Sequence, residues 1–341
     1  MSASKLKKHR KTPRIVSLFS GAGGLDLGFK NAGFQTIWAN EYDKSITPTF
    51  KRNFPLTHLD ERSIISITDE EIFSIGHVDG VIGGPPCQSW SEAGARRGIA
   101  DHRGQLFHDY IRFIKILKPK FFVAENVHGL IHSRNKESFE RIKDLFRQEG
   151  YIVEAKLLLA SDYDVPQDRE RVFIIGYHED LGINVTFPQP LTFANGYKKK
   201  TISDAIGRFS RLKVGSKRVL NHDLTPDMTF SPIYMSRNRV RKWDQQSFTI
   251  LATDRHIPIH PSAPPMEKIG VDKMQFKPGY EDKYRRLTVR ECAAIQTFPD
   301  DFEFIYANVR NGYKMIGNAV PVKLAEYVAK NIINDLSGYL A

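Results

Sequence analysis

The sequence contains very little cysteine and no long apolar run. Its two cysteines among 341 residues, Cys87 and Cys292, cannot form a disulfide framework or a four-thiolate zinc site, and neither lies in a CxxC pair. No apolar run approaches the roughly 18 residues of a membrane span, and the N-terminal segment lacks the apolar stretch of a signal peptide. We therefore expect a cytoplasmic protein in a reducing compartment, with no metal site and no membrane partner.

Acidic residues are scarce in two segments of an otherwise mildly acidic chain. Residues 1–14 hold six Lys and Arg and no acid, and residues 195–242 hold twelve Lys and Arg against three Asp. Because the formal net charge is +11, the rest of the chain carries about −4. Clustered Lys and Arg neutralise phosphates, which supplies most non-specific affinity for nucleic acid. The pattern favours a polyanion such as nucleic acid as partner, with solubility alone as the alternative explanation.

Short apolar runs alternate with amphipathic stretches through most of the chain. The runs predict strands, and apolar residues at helical spacing predict helices. The predicted strands are 15–19, 36–40, 78–82, 121–127 and 171–177, and the predicted helices are 25–34, 107–119, 139–151, 287–296 and 322–336. This alternation indicates an α/β fold with a mostly parallel, doubly wound sheet, which binds ligands at the carboxyl ends of its strands.

The alternation stops near residue 178, where short stretches broken by Pro, Gly and charged residues begin, and it resumes toward the C-terminus. An insertion within one α/β domain explains this better than two domains in series. We expect a basic flexible tail at residues 1–14, a main domain at 15–177 and 285–341, and a smaller inserted domain at 178–284.

Two loops at predicted strand ends are candidates for ligand binding and chemistry. The segment FSGAGG at 19–24 joins a strand to a helix, and its glycines let the backbone approach a ligand, with Glu41 after the next strand as an acceptor for ribose hydroxyls. A tight turn is the alternative. In GGPPCQS at 83–89, two glycines and two prolines precede Cys87. This setting favours a nucleophilic thiol over a packed apolar cysteine.

Charged residues lie at the beginning of one further predicted strand and near the end of another. A free thiol has a pKa of about 8.5 and needs a positive or hydrogen-bonding environment to act as a thiolate. Arg169 and Arg171 in QDRER could provide it, with a solvated charged turn as the alternative. Glu125 ends the apolar strand FFVAENV, where an acid is costly to bury without a partner or a task. A capping acid at a βα turn is the alternative for Glu125.

Taken in order, the motifs of residues 15–335 closely resemble those of the cytosine-5 DNA methyltransferases, especially the bacterial restriction-modification enzymes. The segments are FSGAGGLDLGF at 19–29, NEYD at 40–43, GGPPCQSWSEAG at 83–94, RGQLFHDYIR at 103–112, ENV at 125–127, QDRERVF at 167–173, RRLTVRECAAIQTFPDDF at 285–302 and GYKMIGNAVP at 312–321. The resemblance implies an S-adenosylmethionine-dependent methyltransferase fold, which is a Rossmann-like doubly wound sheet, with a target-recognition domain inserted at 178–284. It also implies S-adenosyl-L-methionine as cofactor and double-stranded DNA as partner.

The resemblance assigns catalytic roles to Cys87, Glu125, Arg169 and Arg171. In similar enzymes a thiolate at the Cys87 position attacks C6 of a flipped cytosine, and the Glu125 position contacts N3 and N4. C5 is a poor nucleophile until this addition makes an enamine, and a hydrogen bond at N3 stabilises the charge that forms. C5 then takes the methyl group from the cofactor. Arg169 is expected to hold the base and to assist the thiolate.

The resemblance also predicts the cofactor site, with Phe19 against the adenine, the glycine loop along the methionine portion and Glu41 on the ribose. The predicted cofactor-binding residues are Phe19, Gly21, Gly23, Gly24, Leu25, Asn40, Glu41, Tyr42, Ile64, Leu106 and Asn318. The family usually has an Asp-Ile pair whose Asp accepts from the adenine amino group, but the aligned residues here are Ser63 and Ile64. Either Ser63 makes a weaker contact, or Asp60 reaches the adenine in another register.

DNA contacts are expected from two regions. The loop 88–104 corresponds to the segment that closes over DNA during base flipping. Residues 235–261 resemble the framework of relatives that read GGCC, but LATDRH at 251–256 departs from the expected pattern. The predicted DNA-binding residues are Ser89, Arg96, Arg97, Arg237, Arg239, Arg241, Thr249, Arg255 and His256. Phosphate contact or a solvated surface is the alternative to base contact for each Arg.

Two other functions would explain part of these motifs. An RNA (tRNA) cytosine-5 methyltransferase, or an inactive relative, would keep the catalytic motifs, but the long basic insertion favours duplex DNA. An NAD-type oxidoreductase would not explain PPCQS, ENV and QDRER together. We therefore predict a DNA (cytosine-5) methyltransferase of a restriction-modification system, which acts as a monomer alongside a separately encoded endonuclease.

Overall fold

The computed structural model describes residues 12–86, 102–225 and 230–340, with the backbone alone for 102–105. Its main element is a seven-stranded sheet in the order β3-β2-β1-β4-β5-β7-β6. The strands are β1 Arg14–Leu18, β2 Gln35–Asn40, β3 His58–Asp60, β4 Gly80–Gly83, β5 Phe121–Val127, β6 Tyr151–Leu159 and β7 Glu170–His178. Neighbouring strands are parallel except at β7, which is antiparallel to both β5 and β6. The prediction of a mostly parallel α/β sheet is confirmed.

Helices cover both faces of this sheet. They are α1 Gly24–Asn31, α2 Thr47–Asn53, α3 Asp69–Ser74, α4 His102–Leu117, α5 Lys136–Gln148, α6 Ile202–Ile206, α7 Val289–Ile295, α8 Val309–Asn318 and α9 Val322–Asp335. The C-terminal helix α9 and α1 bury Phe29 and Ile332 against one face. On the other face, α4 and α5 bury Phe113 and Phe146. Burial of these large side chains, at about 1.5–3 kcal/mol each, holds the layers together.

The strand order places a crevice at one edge of the sheet. The chain moves outward from β1 in one direction to β2 and β3, and in the other to β4 and β5. A parallel sheet binds ligands beside the carboxyl ends of its strands where the order reverses in this way. Because β7 is antiparallel, its first residues lie at this same edge, with Arg171 in register with Val127 at the end of β5.

The structure differs from the sequence expectations in a few elements. Residues 314–321, predicted as a turn-bearing segment, lie mostly in helix α8, which Asn308 caps by accepting a hydrogen bond from Arg310 N. Gly312 and Gly317 lower the helical propensity of α8, but Gly312 packs closely against Val289 and Tyr306, so tertiary contact outweighs propensity. Strand β1 begins at Arg14, one residue earlier than expected, and β3 and β6 were not predicted.

The chain that follows β7 forms a smaller unit with its own core. This core contains Tyr234, Val240, Ile259, Met266 and Tyr284. A short antiparallel hairpin, β8 Glu267–Gly270 and β9 Lys273–Gln275, lies beside it. A separate cluster buries Ile250 and Ile257 with side chains of α7 and α8, so the smaller unit packs directly on the main domain.

Candidate active site

A cleft of about 1010 Å³ opens where the carboxyl ends of β1, β2, β4 and β5 meet. The predicted cofactor-binding residues that line it are Phe19, Gly21, Gly24, Leu25, Asn40, Glu41, Tyr42, Ile64, Leu106 and Asn318. Gly23 is not among the residues lining the cleft; it precedes α1 with a φ of 86°, and a Cβ there would lie 2.2 Å from the Phe54 ring. The fold therefore brings one residue set, spread over 300 positions of sequence, to one cavity.

Glu41 holds the glycine loop in place at this cleft. Its Oε2 accepts a hydrogen bond of 2.9 Å from Gly21 N, and its Oε1 accepts one of 2.9 Å from Asp43 N. Burial raises the pKa of this carboxyl, while the two backbone donors lower it. Glu41 lines the cleft, and each carboxylate oxygen can accept more than one hydrogen bond, which suits the hydroxyls of a ribose. Asn40, in contrast, donates its side-chain amide to the carbonyls of Asp60 and Arg62.

The floor of the cleft contains a polar group that sequence reasoning missed. Ser17 lies inside β1, is fully buried, and lines the cleft. Its hydroxyl faces the buried carboxyl of Asp26 and lowers the pKa of that group as a hydrogen-bond partner. The glycine loop and the Glu41 carboxyl at this cleft fit S-adenosyl-L-methionine, which presents amino, carboxylate and ribose groups.

The two residues aligned with the expected Asp-Ile pair lie at the cleft. Ser63 and Ile64 both line the cleft. Asp60 is instead bound by Arg62, whose Nη2 lies 2.7 Å from Asp60 Oδ2 and whose backbone N donates to Asp60 Oδ1. Of the two alternatives, the structure therefore favours Ser63 as the polar side chain available to an adenine.

Glu125 and Arg171 form an ion pair at the mouth of the cleft. Arg171 Nε lies 2.9 Å from Glu125 Oε1, and both side chains are largely buried. Burial raises the pKa of Glu125, while the positive charges of Arg171 and Arg169 lower it. Oε1 has no well-aligned hydrogen bond among the described residues. The Glu125 carboxyl is thus held by its ion pair with Arg171, and it can still form a hydrogen bond with a ligand in the cleft.

The segment leading to the predicted nucleophile is tied to Glu125. Asn126 Nδ2 donates a hydrogen bond of 2.9 Å to the carbonyl of Pro85. A Cβ at Gly84 would lie 3.3 Å from Glu125 Oε2, so this backbone passes close to the carboxyl. Pro85 and Pro86 line the same cleft. Asn126 is a further positioning residue, and its place directly after Glu125 in ENV was the available signal.

Several predicted site residues lie outside the described residues. They are Cys87, Ser89, Arg96 and Arg97. The predictions made for them stay predictions.

Arg169 has different contacts from Arg171. It is fully buried. It donates to three backbone carbonyls, those of Ile250 at 2.9 Å, Gly317 at 2.8 Å and Ala319 at 3.0 Å. Burial lowers its pKa to about 9. The structure thus places Arg171 beside the carboxyl and Arg169 between the main domain and the smaller unit.

Four of the predicted DNA readers fall into two groups. Arg237 and Arg255 are exposed. Arg241 lies 3.4 Å from Asp168 and over the Phe248 ring, and Thr249 donates to the carbonyl of Asp168. The first group is free to reach a ligand, whereas the second already holds the smaller unit against the main domain.

Arg239 and His256 lie together with Thr249 in a small depression. This depression, of about 150 Å³, is also lined by Ile233 and Leu251. Arg239 donates to the carbonyls of Ile233 and Tyr234. The fold therefore brings two separate stretches of sequence, 237–241 and 249–256, to one surface.

The described part of the chain contains neither a membrane-spanning helix nor a cluster of metal ligands. No helix there is long and apolar enough to cross a membrane. No group of three or more His, Cys, Asp or Glu within those residues is arranged to hold a metal ion.

Comparisons with known proteins agree on one family. The sequence model described as C-5 cytosine-specific DNA methylase matches residues 13–334. Type II methyltransferase M.NgoPII of Neisseria gonorrhoeae is 51% identical over 330 residues, covering 95% of this chain and 96% of the relative. Type II methyltransferase M.MthTI of Methanothermobacter thermautotrophicus is 50% identical, covering 96% and 98%. The solved structure of Spodoptera frugiperda DNMT2 superposes with a TM-score of 0.69 at 18% identity, covering 94% and 99%, and supports the fold.

Proposed function

Because this chain belongs to the C-5 cytosine-specific DNA methylase family, we propose that it flips one cytosine out of a short duplex site and methylates C5 with Cys87 as covalent nucleophile. The chain is a DNA (cytosine-5) methyltransferase of a restriction-modification system. The observation that carries the proposal is the Glu125–Arg171 pair, which opens into the same cleft as the glycine loop and Glu41. One cavity thus joins a site for a base to a site for a cofactor.

The base site accounts for activation of C5. The Cys87 thiolate would form a bond to C6, and the electron pair of the C5–C6 double bond would move toward N3, where a hydrogen bond from Glu125 stabilises it. The raised pKa of Glu125 favours the protonated form that can donate this bond. After C5 has been methylated, loss of the C5 proton and cleavage of the bond to sulfur would release the product and restore the thiol.

Arg171 would hold the Glu125 side chain in the orientation that faces the base. Its guanidinium is rigid and remains charged, so it limits how far the buried carboxyl can rotate. Asn126 would serve the same purpose for the loop, because its bond to Pro85 fixes the backbone two residues before Cys87. Together these contacts would position the thiol and the carboxyl around one pyrimidine ring.

The cofactor site would bind S-adenosyl-L-methionine, on which the family depends. When bound, this cofactor supplies the electrophilic methyl group. Glu41 would accept from the ribose hydroxyls, Phe19 and Ile64 would contact the adenine, and Ser17 would bind a polar group of the methionine portion. These assignments are supported by the position of Glu41, which lines the cleft and binds the glycine loop through Gly21 N.

The smaller unit, residues 178–284, would read the DNA sequence. Arg237 and Arg255 are exposed and unengaged in ion pairs among the described residues, so they can reach base edges in the major groove. Ser89, Arg96 and Arg97 would contact DNA from the loop 88–104, and Lys198 and Lys200 would contact phosphates. We propose that one copy of the chain suffices and that a separately encoded endonuclease cuts the unmodified site.

Bisulfite sequencing tests this function directly. DNA is taken from cells that express the wild-type chain and from cells that express Cys87→Ala. We expect cytosines that resist conversion within one short recurring sequence in the wild type, and none in the variant. Absence of resistant cytosines in the wild type, or their presence in RNA alone, would contradict DNA methylation.

A further inference from the structure

The backbone N–H and the backbone carbonyl of Ile250 are both bound by side chains of the main domain. Its N–H donates a hydrogen bond of 2.9 Å to Gln167 Oε1, and its carbonyl accepts one of 2.9 Å from Arg169 Nη1. Ile250 immediately precedes LATDRH at 251–256, which contains two predicted DNA readers. The two peptide groups that flank Ile250, just before the recognition segment, are therefore fixed to the segment that leads into β7.

The same two side chains reach the C-terminal part of the main domain. Gln167 Nε2 donates 3.0 Å to Gln296 Oε1, and Gln296 Nε2 donates to the carbonyls of Ile316 and Ala319 at 2.9 and 3.3 Å. Arg169 Nη2 also donates to Ala319 O. Gln167, Arg169 and Gln296 are all fully buried. We call these three side chains the clasp.

The clasp joins surfaces that are in direct backbone contact. A Cβ at Gly317 would lie 2.3 Å from the carbonyl carbon of Leu251 and 2.4 Å from Ala252 N, so only glycine permits this approach. The next residue, Asn318, lines the cofactor cleft. The recognition segment thus rests on the wall of the active site itself.

The clasp is also next to the catalytic ion pair. Arg169 stands two residues before Arg171, and Arg171 contacts Glu125. Fully buried polar side chains are costly unless each is hydrogen-bonded, so a shift of the recognition segment would leave several donors and acceptors unpaired at once. The hydrogen bonds of the clasp therefore oppose small displacements of the recognition segment. A displacement that does occur would move Arg169 and, through the backbone of Glu170, would also move Arg171.

We propose that Gln167, Arg169 and Gln296 are positioning residues that hold the recognition segment in register with the active site. Correct contacts to the DNA sequence then place the flipped cytosine against Glu125, and incorrect contacts displace it. This inference rests on the proposed function, because it assumes that 251–256 reads DNA. It predicts that weakening the clasp reduces discrimination between sites, beyond any loss of stability.

The test uses Gln296→Met, which removes the side-chain hydrogen bonds at nearly constant volume; Gln296 neither lines the cleft nor makes a hydrogen bond to the recognition segment. The matched control is Tyr306→Phe, which removes the 2.6 Å hydrogen bond from Tyr306 to Asp223, another contact between the main domain and residues 178–284. Both full-length variants and the wild type are assayed for kcat and KM. The substrates are a duplex carrying the site found by bisulfite sequencing and duplexes with single base-pair substitutions.

We expect Gln296→Met to lower the ratio of kcat/KM between the correct and the substituted duplexes by about 2- to 30-fold, chiefly through kcat on the correct duplex. The KM for S-adenosyl-L-methionine should remain within about twofold, and Tyr306→Phe should leave the ratio unchanged. If thermal melting shows that Gln296→Met does not fold, the test uses Gln167→Asn instead. The shorter asparagine side chain cannot reach both Ile250 and Gln296.

Two results overturn the inference. Equal loss of activity on all duplexes in the clasp variant would make the clasp merely structural. An equal change of the ratio in Tyr306→Phe would show that any weakening of the interface has this effect. A wild-type chain that methylates no duplex would instead refute the proposed function, so the two failures can be told apart.

Discussion

The guanidinium of Arg171 lies 2.9 Å from the buried carboxyl of Glu125, one residue on β7 and the other on β5. Burial and the adjacent cation act on this carboxyl in opposite directions. Burial is the larger effect, so the pKa of Glu125 is raised. The carboxyl that faces the proposed base site therefore keeps its proton to higher pH than an exposed glutamic acid, and this determines how substitutions of either residue should behave.

Glu125→Gln should reduce turnover by about 10²- to 10⁴-fold, because an amide cannot supply the proton to N3. Binding of S-adenosyl-L-methionine and of duplex DNA should be retained, since Glu41 and residues 178–284 are unaffected. Single-turnover methylation and equilibrium binding measure these quantities. A melting temperature lowered as far as by a core deletion would indicate a structural role for Glu125 instead.

Arg171→Met should move the alkaline limb of the kcat profile to higher pH. Arg171 lowers the pKa of Glu125, so its removal raises that pKa further, and the protonated form then persists to higher pH. The absolute rate should fall because the carboxyl is less well oriented. Arg171→Lys, which keeps the charge, is the control and should leave the limb near its wild-type position. A limb that moves to lower pH in Arg171→Met would disprove this account.

Cys87 should be the cysteine that bonds to the target base. A duplex with 5-fluorocytosine at the methylated position has no C5 proton to lose, so the bond between sulfur and C6 should persist and the complex should survive denaturing electrophoresis. Cys292 is the matched control, because it is fully buried and burial raises the pKa of its thiol. The trapped complex should form with Cys292→Ala and be absent with Cys87→Ala; the reverse pattern would reject the assignment.

Asp26→Asn should stabilise the protein at neutral pH but not at acid pH. Burial raises the pKa of Asp26 to about 6, above the value of 3.8 for a free carboxyl, although the Ser17 and Thr36 hydroxyls lower it. The folded state therefore binds the proton more tightly than the unfolded chain, and wild-type stability falls as pH rises from about 4 to about 6.

The neutral amide in Asp26→Asn does not titrate. Relative to the variant, the wild type should lose up to about 3 kcal/mol of unfolding free energy across that range. Urea unfolding of both proteins at several pH values measures the difference. A difference that does not change with pH would mean that Asp26 titrates alike in the folded and unfolded states.

Arg255→Ala and Arg241→Ala should have different effects on sequence preference. Arg255 is exposed within the recognition segment, so its loss should relax discrimination at one base pair by about 1–3 kcal/mol. Arg241 pairs with Asp168 and lies over Phe248, so its loss should lower methylation of all duplexes alike. Methylation of substituted duplexes at fixed salt separates the two. Uniform loss in both variants would assign Arg255 to phosphate contact.

Much of this molecule could be predicted from its sequence. The strand at Phe121–Val127 was predicted to the residue, and ten of the eleven residues that the resemblance assigns to the cofactor line one cleft. Such features are local, because strands and turns depend on apolar period and glycine placement within a few residues. Motif order then identified the family, since PPCQS, ENV and QDRER carry one chemistry together.

The tertiary structure decided which of two similar residues faces the site. Arg169 and Arg171 lie in one short motif, and their separate contacts follow from the antiparallel course of β7 and from Ile250, which is about 80 positions later in the chain. Ser63 lines the cleft, whereas Asp60 does not and is bound by Arg62. The roles proposed for Ser17, Gln167 and Gln296 could be inferred only from their burial and their contacts in the folded protein. Pairings over such distances depend on packing of the whole sheet, which no local pattern encodes.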